Sequence, residues 1–238
     1  MDAPGKDEDA APDARNKPAN ALGAIMMRTL AQDGTLVRLA RHQQVALATV
    51  VANSAFLIKT GTIALETELP ERHILGFCHS GDLLEARHLP NLPQLSLRAV
   101  ENSELWRIRQ KQSIPTSTDA PEMVRAHQRL SSQMVKRQLV TNVILGRLTG
   151  EQRLVSFLIS TTVRLGRVIA NQATTTMPMS RADIADYLGL NPDTLSRLMT
   201  VLHNDGLVET QGRHRLVIRD WESLCARTPI AQAIIDAG

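Results

Sequence analysis

The spacing of apolar positions changes character several times along the chain. Residues 1–19 mix Asp2, Asp7, Glu8, Asp9 and Asp13 with Pro and Ala and carry no large apolar side chain after Met1. Such a stretch cannot bury enough surface to offset the entropy of ordering, which predicts a disordered tail. Ala21 to Gln32 (ALGAIMMRTLAQ) reads as a short helix stopped at Asp33-Gly34. From Leu36 to Arg109 short β-rich runs follow one another: LVRLA, QVALATVV, AFLIKTG, TIALETEL, HILGF, SLRAV and ELWRI. Turn formers separate them, among them Gly61, Ser80-Gly81-Asp82, Pro90-Asn91 and Asn102-Ser103. This predicts a small antiparallel sandwich or barrel within residues 20–112. The polar segment 111–120 reads as a linker.

A long helix is predicted next, over 119–148, with Asp119 as cap and Pro121 in its first turn. Met123, His127, Leu130, Met134, Arg137, Thr141, Ile144 and Leu148 recur at spacings of four and three. That is a seam of about four heptads, read as the face that pairs with a second copy. One amphipathic helix packed on its own domain is the alternative. After Gly150 a second helix, EQRLVSFLISTTVRLGRVI, is apolar at Leu154, Val155, Leu158, Ile159 and Val163. The polar run ANQATTTMP reads as a separator.

Residues 181–200, RADIADYLGLNPDTLSRLMT, meet the requirements of a helix-turn-helix. Ala185 is small where two helices must approach closely, and Gly189 can take the positive φ of the turn. Ile184, Leu188, Leu190, Leu195 and Leu198 are apolar at the positions that lock one helix on the other. Ser180 caps the first helix; Asn191, Pro192 and Asp193 provide cap, first-turn proline and early acid for the second. The outward side of that second helix carries Asp193, Thr194, Ser196 and Arg197, in the half that meets base edges in a major groove. Arginine can donate two bonds to guanine O6/N7, and a carboxylate can accept from cytosine N4. Beyond it, LVET and HRLVIRD flank Gln211-Gly212 as a two-stranded wing that presents Arg213 and Arg215 to phosphate. Ser180 and Arg181 are further candidates for phosphate contact, and Asn191 completes the set. A purely structural helical hairpin is the alternative.

Composition narrows this reading without driving it. The 238 residues hold 27 Lys+Arg against 24 Asp+Glu, a net charge of +3 that permits nucleic-acid binding but does not argue for it. Aromatic residues make up 3%, which weakens any stacking platform for single strands. Cys78 and Cys225 match no metal spacing and form no disulfide framework. No apolar run reaches a membrane span and no signal peptide opens the chain, so a cytoplasmic protein is expected. No nucleophile elbow, P-loop or H-E-x-x-H motif is present, so no enzyme is expected.

RLTGEQRLVSFL, MSRADIADYLGLNPDTLSRLMTVLHNDGLVE and RHRLVIRDWESL together resemble the CRP/FNR family of bacterial transcription regulators. FLIKTGTIAL, HILGFCHSGDLLE and LRAVENSELWRI extend the resemblance more weakly into the β region. It implies an α+β chain in the following order: a short β jelly roll of the cyclic-nucleotide-binding type, a dimerisation helix at 119–148, and a winged helix-turn-helix at 150–238. The implied partners are double-stranded DNA, a second copy through residues 119–148, and RNA polymerase, with an activator acting on a palindromic site. Asp193-Thr194-Leu195-Ser196-Arg197 is similar to the E-x-x-S-R of the FNR/FixK branch, which reads TTGA-type half-sites, with an acid one methylene shorter. Pro192 stands where the cyclic-AMP-responsive branch has a further base-reading Arg.

The family's phosphate cassette is only partly present. Gly81-Asp82 and Glu85 match, but its Arg-Ser pair falls at Pro93-Gln94, which disfavours a cyclic nucleotide. Two cysteines cannot hold the iron–sulfur cluster of the FNR branch. His73, His79 and His88 leave haem open. The expectation is a regulator without a cofactor; the alternative is a β domain that must bind a small molecule or haem, or respond to redox, before DNA is bound.

Overall fold

The computed structural model describes residues 34–47, 54–89, 92–109 and 120–238. The expected tail, the Ala21–Gln32 helix and the 111–119 part of the linker lie outside the described residues.

The β-rich runs become eight strands: β1 (Thr35–Leu39), β2 (Gln44–Ala46), β3 (Ser54–Thr60), β4 (Thr62–Glu68), β5 (Arg72–His79), β6 (Leu83–Glu85), β7 (Ser96–Ala99) and β8 (Ser103–Arg109). They form two antiparallel four-stranded sheets, ordered β1-β8-β3-β6 and β2-β7-β4-β5. Phe56, Ile58 and Leu105 of one sheet meet Ile63, Leu97 and Ala99 of the other in a single buried cluster. The β3–β4 turn needs its glycine. Gly61 has φ +86°, and a Cβ there would lie 2.9 Å from the carbonyl of Asn102.

Helix α1 (Ala120–Arg147) runs along this domain, and it corrects the predicted seam. Leu130, Ile144 and Leu148 are buried within their own chain, Arg137 bonds Asp82, and Thr141 lies 3.5 Å from Tyr187 Oη. Met123 belongs to α1, but its side chain lies outside the described set. The periodicity marked a buried face correctly but named the wrong cover, because spacing identifies a stripe and not its partner. Half a turn away, Val124, Val135, Leu139 and Val143 are exposed by 43–61%.

Helix α2 (Gly150–Leu165) opens with a capping box between Thr149 and Gln152 and buries Leu154, Val155, Leu158 and Ile159. The remaining elements are β9 (Arg167–Ile169), β10 (Gln172–Thr176), α3 (Arg181–Leu188), α4 (Pro192–Asn204), β11 (Val208–Gln211), β12 (Arg215–Ile218), α5 (Trp221–Ala226) and α6 (Ala231–Ala237). The run ANQATTTMP is no mere separator: β10 sits inside a sheet ordered β11-β12-β10-β9. Ala173 and Thr175 point inward there, and threonine hides the alternation from a hydrophobic pattern.

The two halves share one core. Ala64, Ile74 and Val100 of the β domain belong to the same apolar cluster as Ile144, Phe157 and Leu188. Phe77, Phe157 and Tyr187 pack as a tilted trio with centroids 5.4–6.2 Å apart, joining β5, α2 and α3. Among the described residues no helix is long and apolar enough to cross a membrane.

Candidate nucleic-acid interface

The reading pair α3–α4 is assembled by local chemistry. The Ser180 hydroxyl accepts from the Asp183 amide at 3.0 Å and starts α3. Gly189 ends it in the left-handed region (φ 60°, ψ 42°), and the Leu190 amide then bonds the Ala185 carbonyl at 2.9 Å. Asn191 Oδ1 accepts from the Asp193 amide at 2.8 Å, and Pro192 occupies the first position of α4. Ala185 is fully buried at the helix crossing, among Ile184, Leu188 and Leu195. Leu190 and Leu198 pack against the same cluster from its margin. Every apolar position predicted to lock the pair does so.

The residues predicted to meet DNA lie on the open side. Asp193 and Arg197, one turn apart on α4, are exposed, and Thr194 and Ser196 beside them are half-buried. Arg181 is exposed at the start of α3, and Arg213 and Arg215 are exposed at the wing. The wing tip turns at Gly212 (φ 64°), and His214 Nδ1 lies 3.1 Å from the Met177 carbonyl. Two predicted contacts already have duties: Asn191 and Ser180 are exposed, but each uses its side-chain oxygen as a helix cap.

Charge separates working cations from structural ones. Arg227 is held by Glu151 at 3.0 Å and Asp205 at 2.6 Å, and Arg219 by Glu209. No ion pair among the described residues engages Arg181, Arg197, Arg213 or Arg215. Four guanidiniums around α4 and the wing thus remain available to an anionic partner.

Sequence reasoning passed over two acids on α3. Asp183 and Asp186 look like ordinary first-turn and surface carboxylates, yet both face the β domain. Asp183 bonds Arg72 at 3.0 Å and Arg98 at 2.9 Å; Asp186 accepts from the Ile74 amide at 2.8 Å. Burial pushes the Asp183 carboxyl up, but Ser180 and the charges of Arg98 and Arg72 outweigh it, so the net shift is downward. Only the meeting of Asp183 with Arg72 and Arg98, and of Asp186 with His73 and the Ile74 amide, reveals this role, and both meetings are tertiary.

Residues 152–227 match the Crp-like helix-turn-helix domain. The chain is 29% identical over 217 residues to the nitrogen fixation regulation protein FixK of Azorhizobium caulinodans, spanning 90% of this chain and 84% of that protein. The chain is similar to regulators of the CRP/FNR family over most of its length. A second CRP/FNR relative, the FixK of Bradyrhizobium diazoefficiens, is 27% identical over 79% of this chain and 80% of its own length. The solved structure of FixK2 from Bradyrhizobium japonicum superposes with a TM-score of 0.66 at 23% identity, covering 82% of this chain and 97% of that one. A cyclic nucleotide-binding domain containing protein from Listeria monocytogenes gives 0.68 at 17% identity, covering 87% and 99%. The CRP/FNR arrangement of β domain, long helix and DNA-binding helix-turn-helix is therefore the architecture of this chain, a transcription regulator.

Proposed function

We propose that this CRP/FNR regulator works in the cytoplasm as a homodimeric activator on a palindromic, TTGA-like site and needs no bound cofactor. The observation that carries the reading is Arg197: exposed on the N-terminal half of a locked α4, with no carboxylate among the described residues engaging it. Its guanidinium is suited to a bidentate bond with guanine O6/N7, and Asp193 to accept from cytosine N4. Thr194 and Ser196 adjust the neighbouring positions. Arg181, Arg213 and Arg215 hold phosphate and set register without reading sequence. The exposed stripe Val124, Val135, Leu139 and Val143 supplies the dimer contact, in place of the inward seam. Contact with RNA polymerase is what the family implies for an activator.

A cyclic nucleotide fits the β domain poorly. Pro93 and Gln94 form a turn with no cation for a phosphate. Arg98, the nearest strand guanidinium, is committed to Glu66 and Asp183. Glu85 is buried between His88 and His127, at 2.7 Å from each. A thiol switch has little support at Cys78, because burial pushes that thiol up to about 12 and leaves no thiolate near neutrality.

Selection of DNA from a random pool, with untreated protein and Arg197→Ala, tests the proposal. Enrichment of a TTGA-like inverted repeat by the wild type, lost in the variant, is the expected result. No enrichment by folded wild type overturns it. A ligand-gated second reading rests on a cavity of about 190 Å³ between β5, α1, α2 and α3, bordered by Phe77, Thr141 and Tyr187. A small molecule released from purified protein and required for enrichment would favour that reading.

A further inference from the structure

The back of α3 is bolted to the β domain by charge. Asp183 Oδ1 accepts from Arg72 Nη1 at 3.0 Å and from Arg98 Nη2 at 2.9 Å. Arg98 Nε donates to Glu66 Oε2 at 2.8 Å, and Gln44 donates to the other Glu66 oxygen at 2.7 Å. One helical turn along α3, Asp186 accepts from the Ile74 amide at 2.8 Å and lies 3.1 Å from His73 Nδ1. Glu66, Arg98 and Asp183 are all buried. Glu66 and Asp183 oppose Arg72 and Arg98, so this part of the network is charge-balanced, and few orientations of α3 satisfy these pairs and the Asp186 contacts together. Turning the helix away would leave buried charge unpaired.

This clamp adds a second tie to the half of the chain beyond the α1–α2 joint, where Asp82 already bonds Arg137 and Arg164. Between α1 and α2 only Leu148 and Thr149 leave the helical path, Thr149 with ψ 164°. Two such residues permit many directions for α2 and everything it carries. In a dimer paired through α1, the separation of the two α4 helices depends on that direction. The clamp leaves Arg181, Asp193, Arg197 and the wing exposed, so it orients the reading surface and does not cover it.

We propose that Arg98 and Arg72, acting through Asp183, are positioning residues that set which spacing between half-sites the dimer accepts. They do so from the β domain, without touching DNA. The inference rests on the homodimeric DNA-binding reading above.

The test is binding to a series of inverted repeats that share one half-site and differ only in spacer length. The proteins are wild type, Arg72→Ala, Arg98→Met and Asp183→Asn, with Asp186→Asn as a less buried alternative should the others fail to fold. The wild type should prefer one spacer over its neighbours by about tenfold, because only that spacing lets both halves engage at once. The folded variants should lose most of this preference while keeping the base preference within each half-site. Loss of stability alone would weaken all spacers together. Folded variants that retain the wild-type spacer profile overturn the inference. A wild type that binds single half-sites as tightly as any repeat overturns the dimeric reading, and the inference with it.

Discussion

Asp186, on the first helix of the reading pair, accepts a hydrogen bond at 2.8 Å from the backbone amide of Ile74, 112 residues earlier in the chain. The amide belongs to β5, immediately before the β4–β5 bulge at Leu75, and the Ile74 side chain is in the core shared by both halves. A helix that in a free reading unit would only support α4 is thus tied to a strand of the β domain. Asp82 makes the same connection from another side, bonding Arg137 of α1 and Arg164 of α2. Burial raises its carboxyl, but the two guanidiniums prevail and hold it at about 2.

Arg197→Ala should weaken binding to the selected site by about 1–3 kcal/mol and relax one base position. Arg215→Ala should weaken all sequences alike and reduce the salt dependence by about one ion. Fluorescence anisotropy on matched and single-mismatch duplexes separates the two. Uniform weakening by Arg197→Ala would remove its base-reading role.

Leu139→Lys should yield a folded monomer, because it places charge in the exposed stripe that we assign to the dimer. Leu139 is 61% exposed in the single chain, so the change costs its own fold little. Leu130→Ala, by contrast, should leave the dimer intact and destabilise each chain by about 2–5 kcal/mol, being a core truncation. Sedimentation velocity and thermal denaturation read the pair. A Leu139→Lys dimer of unchanged affinity would mean that another surface pairs the chains.

Gly189→Ala should destabilise the reading pair by about 1–2 kcal/mol, the cost of a left-handed conformation with a Cβ. Space is not the obstacle, since the nearest atom to that Cβ would be Arg153 Nη1 at 3.6 Å. Differential scanning calorimetry checks the value. An unchanged Tm would show that the turn relaxes at no cost.

Stability should fall as pH drops below about 6.5, and His79 is the reason. Burial, helped by the positive charge of Arg164, drives its pKa well below the ordinary value, so the folded protein keeps the imidazole neutral. The unfolded chain takes up the proton first, and stability present above the unfolded pKa is lost at about 1.4 kcal/mol per pH unit. Asp82, depressed from 3.8 to about 2, adds a further loss only when pH falls below about 4. Chemical denaturation of wild type and His79→Gln between pH 7.5 and 5 measures the slope. Equal slopes in the two proteins would exonerate His79.

What was legible in the sequence is local. Ser180, Gly189, Asn191 and Pro192 act on neighbours within a few residues, so caps, turn and helix crossing follow from spacing alone, and the exposed face of α4 follows from them. The β runs likewise announced themselves by short apolar stretches between turn formers. Two things were decided only in three dimensions. One is which face of α1 is covered: Leu130 and Leu139 are equally apolar, and the β domain and α6 choose between them by their shape. The other is the placement of the reading pair, which depends on Asp183 meeting Arg98 and Arg72 across roughly a hundred residues. Charge complementarity at such separation leaves no period in the sequence, because it is created by the packing that brings the partners together.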